Sequence, residues 1–160
     1  METHFTKDPG GKKMTITRDF NAPLADVWQA WTESDLLDQW WAPRPWKTET
    51  KSMDFKNGGQ WLYAMAGPNG EKHWNRVEFG TIDAKKSFTA TSLFIDDDGN
   101  IIESFSPMYW YNRFSETSTG SRVVVEVSFD NEAGLQQIIE MGFKDGFTMA
   151  LGNLDELLAK

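Results

Sequence analysis

The C-terminal stretch GFKDGFTMALGNLDELLAK, Gly142 to Lys160, is the part of the sequence that most strongly indicates the fold. Its larger apolar residues recur at intervals of three or four, a spacing that places side chains along one face of an α-helix. These residues are Phe143, Phe147, Leu151, Leu154 and Leu158. A second helical segment, EAGLQQIIEM, precedes this one and is either separate from it or continuous with it. A long helix with one apolar face needs another layer to cover that face.

The chain ahead of this helix supplies such a layer as a series of predicted β-strands. Apolar and polar residues alternate in these segments, which is the pattern of half-buried strands. Turn signatures separate most of them: NGG at 57–59, GPNG at 67–70, DDDGN at 96–100 and TSTGS at 117–121. Short connections of this kind imply an antiparallel meander. The predicted strands are Lys13–Phe20, Lys47–Phe55, Gln60–Ala66, His73–Ile82, Ser87–Ile95, Phe105–Phe114 and Arg122–Phe129.

Two short helices are predicted between the first and second of these strands. In NAPLADVWQAWT, residues 21–32, Pro23 suits a first helical turn, and Leu24, Val27, Trp28 and Trp31 follow at helical spacing. Ser34 is a candidate cap for the second helix, which Pro43 and Pro45 end. The order of strand, two helices, about six strands and a long helix predicts the α+β class.

Composition and charge exclude several classes of function. The formal net charge of −8, with scattered basic residues, argues against a nucleic-acid or anionic-membrane partner, since binding phosphates requires clustered Lys and Arg. No stretch approaches the roughly 20 apolar residues that a membrane span requires. The absence of cysteine excludes a disulfide, a thiol nucleophile and a thiolate metal site.

A length of 160 residues suits one domain. We predict a flexible N-terminal lead-in over residues 1–12 and a single domain over residues 13–160. The lead-in lacks the apolar run of a signal peptide, so a cytoplasmic protein is expected.

Four segments, in order, resemble a known family: ITRDFNAPLADVWQAWT, LLDQWWAPRPW, MDFKNGGQWLYAMAGPNG and MGFKDGFTMALGNLDELL. They are similar to bacterial proteins related to the C-terminal domain of the activator of heat-shock protein 90 ATPase, in the START and birch-pollen-allergen-like helix-grip superfamily. The resemblance implies a helix-grip fold, in which a curved antiparallel sheet of about six to seven strands wraps around a long C-terminal helix. Because the superfamily includes lipid carriers, hormone receptors, polyketide cyclases and chaperone activators, the resemblance indicates fold more specifically than function.

Individual positions carry the resemblance. The matching residues are Arg18 of the first strand, Ala22-Pro23 and Val27-Trp28 at the first helix, Trp40, Trp41 and Pro43 of a W-W-x-P element, and the double glycine Gly58-Gly59. Lys56 stands where many family members have arginine. The eukaryotic activator also has an N-terminal domain without a counterpart in this sequence, which argues against a chaperone-activating role.

A cavity between sheet and helix is expected, because folds of this kind often contain one. Aromatic and Met side chains typically line small-molecule pockets. The candidates are Trp40, Trp41, Trp61, Tyr63, Met65, Phe79, Phe88, Met108, Trp110, Phe143, Phe147 and Leu151. The alternative is that the same rings fill a solid core. Of the two adjacent tryptophans in DQWWAPRPW, one is expected to point inward and the other to lie at the cavity mouth.

Polar groups that would orient a ligand are Tyr63, Tyr109, Tyr111, His73 and Arg18. No catalytic residue, metal ligand or cofactor is predicted. The chain has no nucleophile elbow, P-loop or dinucleotide fingerprint, and Glu78 and Glu126 are expected to face outward. DDDGN lacks the twelfth-position Glu of a calcium loop and is interpreted as a hairpin turn.

The first hypothesis is therefore a helix-grip domain that binds a small hydrophobic or aromatic molecule without transforming it. The second is an enzyme of cyclase, dehydratase or hydrolase type that uses a cavity Tyr or His. The third is a module that docks on a chaperone or on a second copy of itself as a homodimer. A buried carboxylate or His with a perturbed pKa would favour the second, and a large exposed apolar patch without a cavity would favour the third.

Overall fold

The computed structural model describes residues 2–160 as an eight-stranded antiparallel sheet with four helices. The strands are β1 (Thr3–Lys7), β2 (Lys13–Phe20), β3 (Lys47–Met53), β4 (Gln60–Ala66), β5 (Lys72–Asp83), β6 (Ser87–Ile95), β7 (Met108–Glu116) and β8 (Ser121–Ser128). The helices are α1 (Leu24–Thr32), α2 (Ser34–Trp40), α3 (Glu132–Glu140) and α4 (Phe143–Leu158).

The strand order across the sheet is β1-β2-β8-β7-β6-β5-β4-β3. Strands β3 to β8 form the meander that the short turns predict, and β8 then pairs with β2, so that β3 lies at the far edge. This is the predicted α+β helix-grip fold, and that prediction is confirmed. The strand count is higher than the six to seven expected because of β1.

Strand β1 lies where the sequence analysis predicts a flexible lead-in. Thr3 pairs with Arg18 and Phe5 pairs with Ile16, so backbone hydrogen bonds along β2 order this segment. Phe5 also packs on the core, although it is only partly buried. Five residues on a sheet edge carry too short an alternation to stand out in the sequence, and for that reason β1 was not predicted.

Several boundaries differ from the predicted ones for local reasons. Strand β7 begins at Met108 rather than Phe105, because Pro107 has no N–H to donate to a ladder. Ser34 is the first residue of α2 and not its cap; the cap position is Glu33, which makes no side-chain capping bond. Helices α3 and α4 are separate, since Gly142 takes a left-handed φ of 89° between them.

The double glycine lies in the turn between β3 and β4, where the backbone requires its residue types. A Cβ at position 59 would lie 2.1 Å from the backbone oxygen of Asp54, so only glycine fits there. The backbone of Phe79 donates to the Gly59 oxygen at 2.9 Å, and Gly58 donates to the Phe79 oxygen at 3.1 Å. The glycines therefore hold the turn against β5, next to a residue of the predicted cavity.

Helix α4 lies against the inner face of the sheet. Near its C-terminal end, Asp155 accepts a hydrogen bond from Arg18 of β2. Arg18 is 4% exposed and also donates to the Thr3 hydroxyl at 3.1 Å and to the Asp19 backbone oxygen at 2.9 Å. Because a buried guanidinium is costly unless it is paired, these bonds fix β1, β2 and α4 relative to one another. Arg18 therefore has a structural role in this fold, and its part in orienting a ligand stays a prediction.

Candidate functional site

A cavity with two adjoining chambers lies between the sheet and the helices. The outer chamber has a volume of about 240 Å³ and reaches the surface beside Met141, whose side chain is 55% exposed. The inner chamber has a volume of about 40 Å³. Residues lining only the outer chamber are Pro43, Met65, Asn75, Phe94, Met108, Ile138, Met141, Gly142, Phe143, Gly146 and Phe147. Residues lining only the inner chamber are Trp31, Leu37, Met53, Trp61, Val77, Phe79, Phe88, Ala90 and Asn112.

Trp41, Tyr63, Ser92 and Trp110 line both chambers, and we call these four residues the partition. The Trp41 indole Nε1 donates to the Tyr63 hydroxyl at 2.9 Å, and the Trp110 Nε1 donates to the Ser92 Oγ at 3.0 Å. Each tryptophan of the partition is thus held by a hydrogen bond to a residue of a neighbouring strand. The partition separates a space large enough for a ring system from one that accepts only a small group.

The adjacent tryptophans Trp40 and Trp41, at the end of α2, have different surroundings, and Trp41 lies between the two chambers rather than at the expected cavity mouth. Trp40 is 1% exposed, donates to the Ala30 backbone oxygen at 2.8 Å and lies 5.0 Å from the Trp31 ring, so it plugs the core. Trp41 projects in another direction and forms part of the partition. Consecutive helical residues differ by about 100° in direction, which is why two identical neighbours reach different surroundings.

Asp38 in the same stretch helps to position the cavity wall. Its Oδ1 accepts from the Thr50 backbone N–H at 3.1 Å and from the Thr50 hydroxyl at 2.6 Å. The Thr50 hydroxyl in turn accepts from the Trp61 Nε1 at 3.0 Å. Trp61 stacks on Tyr63 with ring centroids 4.1 Å apart. The DQWW sequence thus orients, directly or through Thr50, much of the aromatic wall around the chambers.

Two residues that line the inner chamber each carry a buried polar atom without a hydrogen-bond partner. Asn112 of β7 is 3% exposed, and its Oδ1 has no partner. Trp31 of α1 is 3% exposed, and its Nε1 has none either. One is an acceptor and the other a donor, and both residues line the same small space. Asn75 of β5, 7% exposed, adds an amide to the outer chamber.

The described residues that line the two chambers include no Asp, Glu, Lys, Arg or His. Burial raises the pKa of the Tyr63 hydroxyl to about 12, although the hydrogen bond from Trp41 opposes this shift. A phenol with that pKa is neutral under physiological conditions. The cavity is therefore apolar in its walls and uncharged.

Most of the predicted cavity residues line a chamber. These are Trp41, Trp61, Tyr63, Met65, Phe79, Phe88, Met108, Trp110, Phe143 and Phe147. Trp40 and Leu151, 1% exposed each, line neither chamber and are packed in solid core. Leu151 lies one turn beyond Phe147 on α4, where the cavity has already ended. That these lining residues bind a ligand stays a prediction.

Of the predicted orienting groups, only Tyr63 lines the cavity. His73 is exposed and lies against Trp46, with ring centroids 5.5 Å apart. Tyr109 and Tyr111 are 38% and 41% exposed on the outer face of the sheet. In β7 the side chains alternate between faces, so these tyrosines point away from Trp110 and Asn112.

The polar lining residues Asn75, Ser92 and Asn112 were missed by the sequence analysis. Each occupies an inward position of its strand, two residues from an apolar neighbour that faces the core. Asn112, for example, lies between Trp110 and Phe114 in the alternation of β7. A polar residue at a core position of a strand was the available signal, because such a residue needs a partner inside the protein.

We also searched the described residues for a metal site and for a membrane-spanning helix. Residues 2–160 contain no cluster of three His, Asp or Glu side chains that would hold a metal ion. In DDDGN, the Asp96 carboxylate accepts from the backbone N–H groups of Asp98 and Asn100, both at 2.9 Å, as in a hairpin turn. No described helix has the length and apolar character needed to cross a membrane.

Comparison with known proteins places this geometry in context. The family model described as Activator of Hsp90 ATPase homolog 1-like protein matches residues 21–159. A protein from Arthrobacter aurescens, solved by NMR, is 26% identical with a TM-score of 0.92, covering 98% of this chain and 91% of its own. A crystal structure from Mycobacterium smegmatis is 29% identical with a TM-score of 0.89, covering 98% and 96%.

An NMR structure from Staphylococcus epidermidis is 26% identical with a TM-score of 0.84, covering 99% of this chain and 94% of its own. Among curated proteins, none matches this chain. The structural matches extend over nearly the whole chain, β1 included, whereas the family model begins just after β2.

Proposed function

This chain belongs to the family of Activator of Hsp90 ATPase homolog 1-like proteins, and on that premise we propose that it is a cytoplasmic binding protein for a small apolar or aromatic molecule. The ligand occupies the cavity between the sheet and α4 and leaves unchanged. Proteins of this family commonly bind hydrophobic ligands. The observation that carries the proposal is the outer chamber, a space of about 240 Å³ lined mainly by aromatic and Met side chains and open to the surface.

The size of the outer chamber supports this proposal. Protein interiors are packed as densely as organic crystals and contain few voids larger than a water molecule. An apolar cavity of roughly 150 Å³ is enough to bind benzene. A chamber of about 240 Å³ therefore has room for a larger ring system. Leaving that space empty forfeits dispersion contacts, which a ligand would restore.

The lining favours binding over catalysis. General acid–base catalysis needs a group that exchanges a proton near the working pH. Among the described residues that line the chambers, the titratable side chain is Tyr63, and burial keeps its pKa at about 12. His73, the histidine considered for an enzymatic role, lies on the surface. These positions support a binding role without a chemical step.

Fluorescence titration tests the proposal directly. Trp31, Trp41, Trp61 and Trp110 line the chambers, so a bound ligand changes their emission. Flavonoids, fatty acids and polyketide-like aromatics should include at least one class that gives saturable quenching. At a hundred times its dissociation constant, such a ligand should add about 2.7 kcal/mol to the free energy of unfolding.

A matched pair of variants locates the site. A Cβ at position 146 would have Pro43 Cγ at 3.7 Å as its nearest neighbour, so Gly146→Leu projects a side chain into the outer chamber. Gly152→Leu, in the same helix, points into open space and lies outside the chamber lining. Both changes replace a poor helix former, so both variants should fold.

We expect Gly146→Leu to lower affinity at least about tenfold, as 1.4 kcal/mol of lost binding free energy would, and Gly152→Leu to leave it unchanged. Equal binding by both variants would place the ligand elsewhere. If no compound class produces saturation with the unmodified protein, the binding proposal fails, and docking on a chaperone or a second copy becomes the better account.

A further inference from the structure

The inner chamber has a polarity that an apolar ligand alone does not explain. The large majority of buried side-chain polar atoms in proteins have a hydrogen-bond partner. Asn112 Oδ1 and Trp31 Nε1 are buried exceptions, and both residues line this chamber. An apolar residue at position 112 would leave no unpaired polar atom on β7. The chain nevertheless has an amide at this inward position, between Trp110 and Phe114. The two residues therefore bring one unpaired acceptor and one unpaired donor to the wall of this chamber.

The two chambers differ in volume and therefore accept different parts of a ligand. The inner chamber, at about 40 Å³, admits an amide, a hydroxyl or a carbonyl but not a ring. The outer chamber, at about 240 Å³, admits a ring system. Because both chambers share Trp41 and Trp110 in their walls, the inner chamber is the space that a substituent of a ring in the outer chamber would enter.

The charge of the cavity restricts that substituent further. No Lys, Arg or His among the described lining residues would pair with an anion, and no Asp or Glu among them would pair with a cation. A charge buried without a partner is strongly disfavoured. The net charge of −8 also repels anions at a distance. A neutral group meets neither obstacle.

We infer that the ligand is an uncharged molecule with an apolar ring system and one group that both donates and accepts hydrogen bonds, and that Asn112 recognises this group in the inner chamber. The inference rests on the proposed function, because it assigns the ligand class of the same cavity. The group donates to Asn112 Oδ1 and accepts from Trp31 Nε1.

Three probes with one ring system test the inference: naphthamide, naphthoate and naphthalene, titrated calorimetrically at neutral pH. The amide both donates and accepts, the carboxylate is charged, and the hydrocarbon does neither. Each hydrogen bond to the amide should contribute about twofold to tenfold in affinity over naphthalene. Naphthoate should bind more weakly than naphthalene, because its charge has no partner in the cavity.

Two variants assign the recognition to one side chain. Asn112→Leu keeps the approximate shape and removes the acceptor; since the amide oxygen has no partner in the unliganded protein, this variant should fold. Its preference for naphthamide should fall by the contribution of one hydrogen bond, about twofold to tenfold, because the Trp31 bond remains, and its affinity for naphthalene should be unchanged. Asn75→Leu, also buried but in the outer chamber, is the matched control and should keep the preference.

Each alternative outcome has a definite consequence. Equal affinity for naphthamide and naphthalene, or preference for naphthoate, would overturn the inference while leaving the proposed function intact. A fall in the preference in Asn75→Leu but not in Asn112→Leu would overturn the assignment to Asn112. If none of the three probes binds, the inference fails, and the comparison of Gly146→Leu with Gly152→Leu decides separately whether the proposed function fails with it.

Discussion

The interior of this protein has two halves that differ in how completely side chains fill them. The closed half lies along β2, β8 and the C-terminal part of α4. Its residues are at most 2% exposed and line neither chamber: Met14, Ile16, Val123, Val125, Val127, Leu151 and Leu154. The hollow half lies along β4 to β7 and the N-terminal part of α4, and it contains both chambers.

Side-chain shape accounts for the difference. Branched aliphatic residues on neighbouring strands fill space evenly and leave few voids. In the hollow half, flat rings meet edge to face: Trp41 lies 5.7 Å from Trp61 at 64°, and Trp110 lies 6.0 Å from Phe147 at 62°. Aromatic rings prefer such arrangements to flat stacking, and the two chambers lie among these rings. The same helix serves both halves, and the boundary falls between Phe147 and Leu151.

The largest expected effect comes from truncating one side chain in each half of α4. Leu154 is 0% exposed with no chamber beside it, so Leu154→Ala should cost about 3–5 kcal/mol of unfolding free energy. Phe147 already borders the outer chamber, so Phe147→Ala enlarges an existing void and should cost about 1–3 kcal/mol, although it removes more atoms. Urea unfolding of both variants provides the measurement.

A cost for Phe147→Ala equal to or above that for Leu154→Ala would break the comparison. It would mean that the rings around Phe147 are packed as tightly as the aliphatic core and that the outer chamber is filled in solution.

The alternation of residues along the strands predicts which side chains face inward, and this information is sufficient for the closed half but not for the hollow half. The strands of the closed half could be read directly, because alternation of Val with polar residues in β8 determines which face is buried. Alternation also identified the aromatic residues of the hollow half as inward-facing. It could not separate a ring that lines a chamber from one that plugs the core, because both face inward. Trp40 and Trp41 differ only in direction, and direction depends on where α2 ends.

The ionisation of Tyr63 tests whether the hollow half is dry. Its pKa is raised from 10.0 to about 12 by burial. Since the folded state holds this proton more tightly than the unfolded state, stability is complete below pH 10 and falls as pH rises from 10 to about 12. A rise of this size corresponds to a loss on the order of 3 kcal/mol across that window.

Tyr63→Phe isolates this contribution, because it removes the proton and keeps the ring. Unfolding free energies of both proteins should run parallel below pH 10. Above pH 10 the two curves should converge and then cross, because the unmodified protein loses more stability there than the Tyr63 hydroxyl contributes at neutral pH. Parallel curves up to pH 12 would show that Tyr63 ionises normally and that water fills the chamber around it.

Added volume should act in opposite directions in the two halves. Val77 of β5 lines the inner chamber and Val125 of β8 does not, so the change of Val to Ile adds one methylene to each kind of environment. Val125→Ile should destabilise the protein by about 1–3 kcal/mol through overpacking. Val77→Ile should stabilise it by up to about 0.8 kcal/mol, because the methylene enters free space. Thermal unfolding of the pair checks the sign, and destabilisation by both would mean that the inner chamber has no free space.

The smallest expected effect concerns the partition at neutral pH, where Tyr63 accepts the hydrogen bond that orients Trp41. Tyr63→Phe removes this bond and leaves the Trp41 Nε1 beside the chamber, so the free energy of unfolding should fall by about 0.5–1.5 kcal/mol. Tyr109→Phe removes a hydroxyl of the same type, bonded to Asp130 at 3.0 Å but on the exposed face of the sheet, and should change stability by less than about 0.5 kcal/mol. In fluorescence titration, Tyr63→Phe should also weaken ligand binding, because Trp41 is then free to rotate into the space between the chambers, whereas Tyr109→Phe should bind as the unmodified protein does. Equal effects of the two changes on both stability and affinity would show that the Tyr63–Trp41 bond does not organise the cavity.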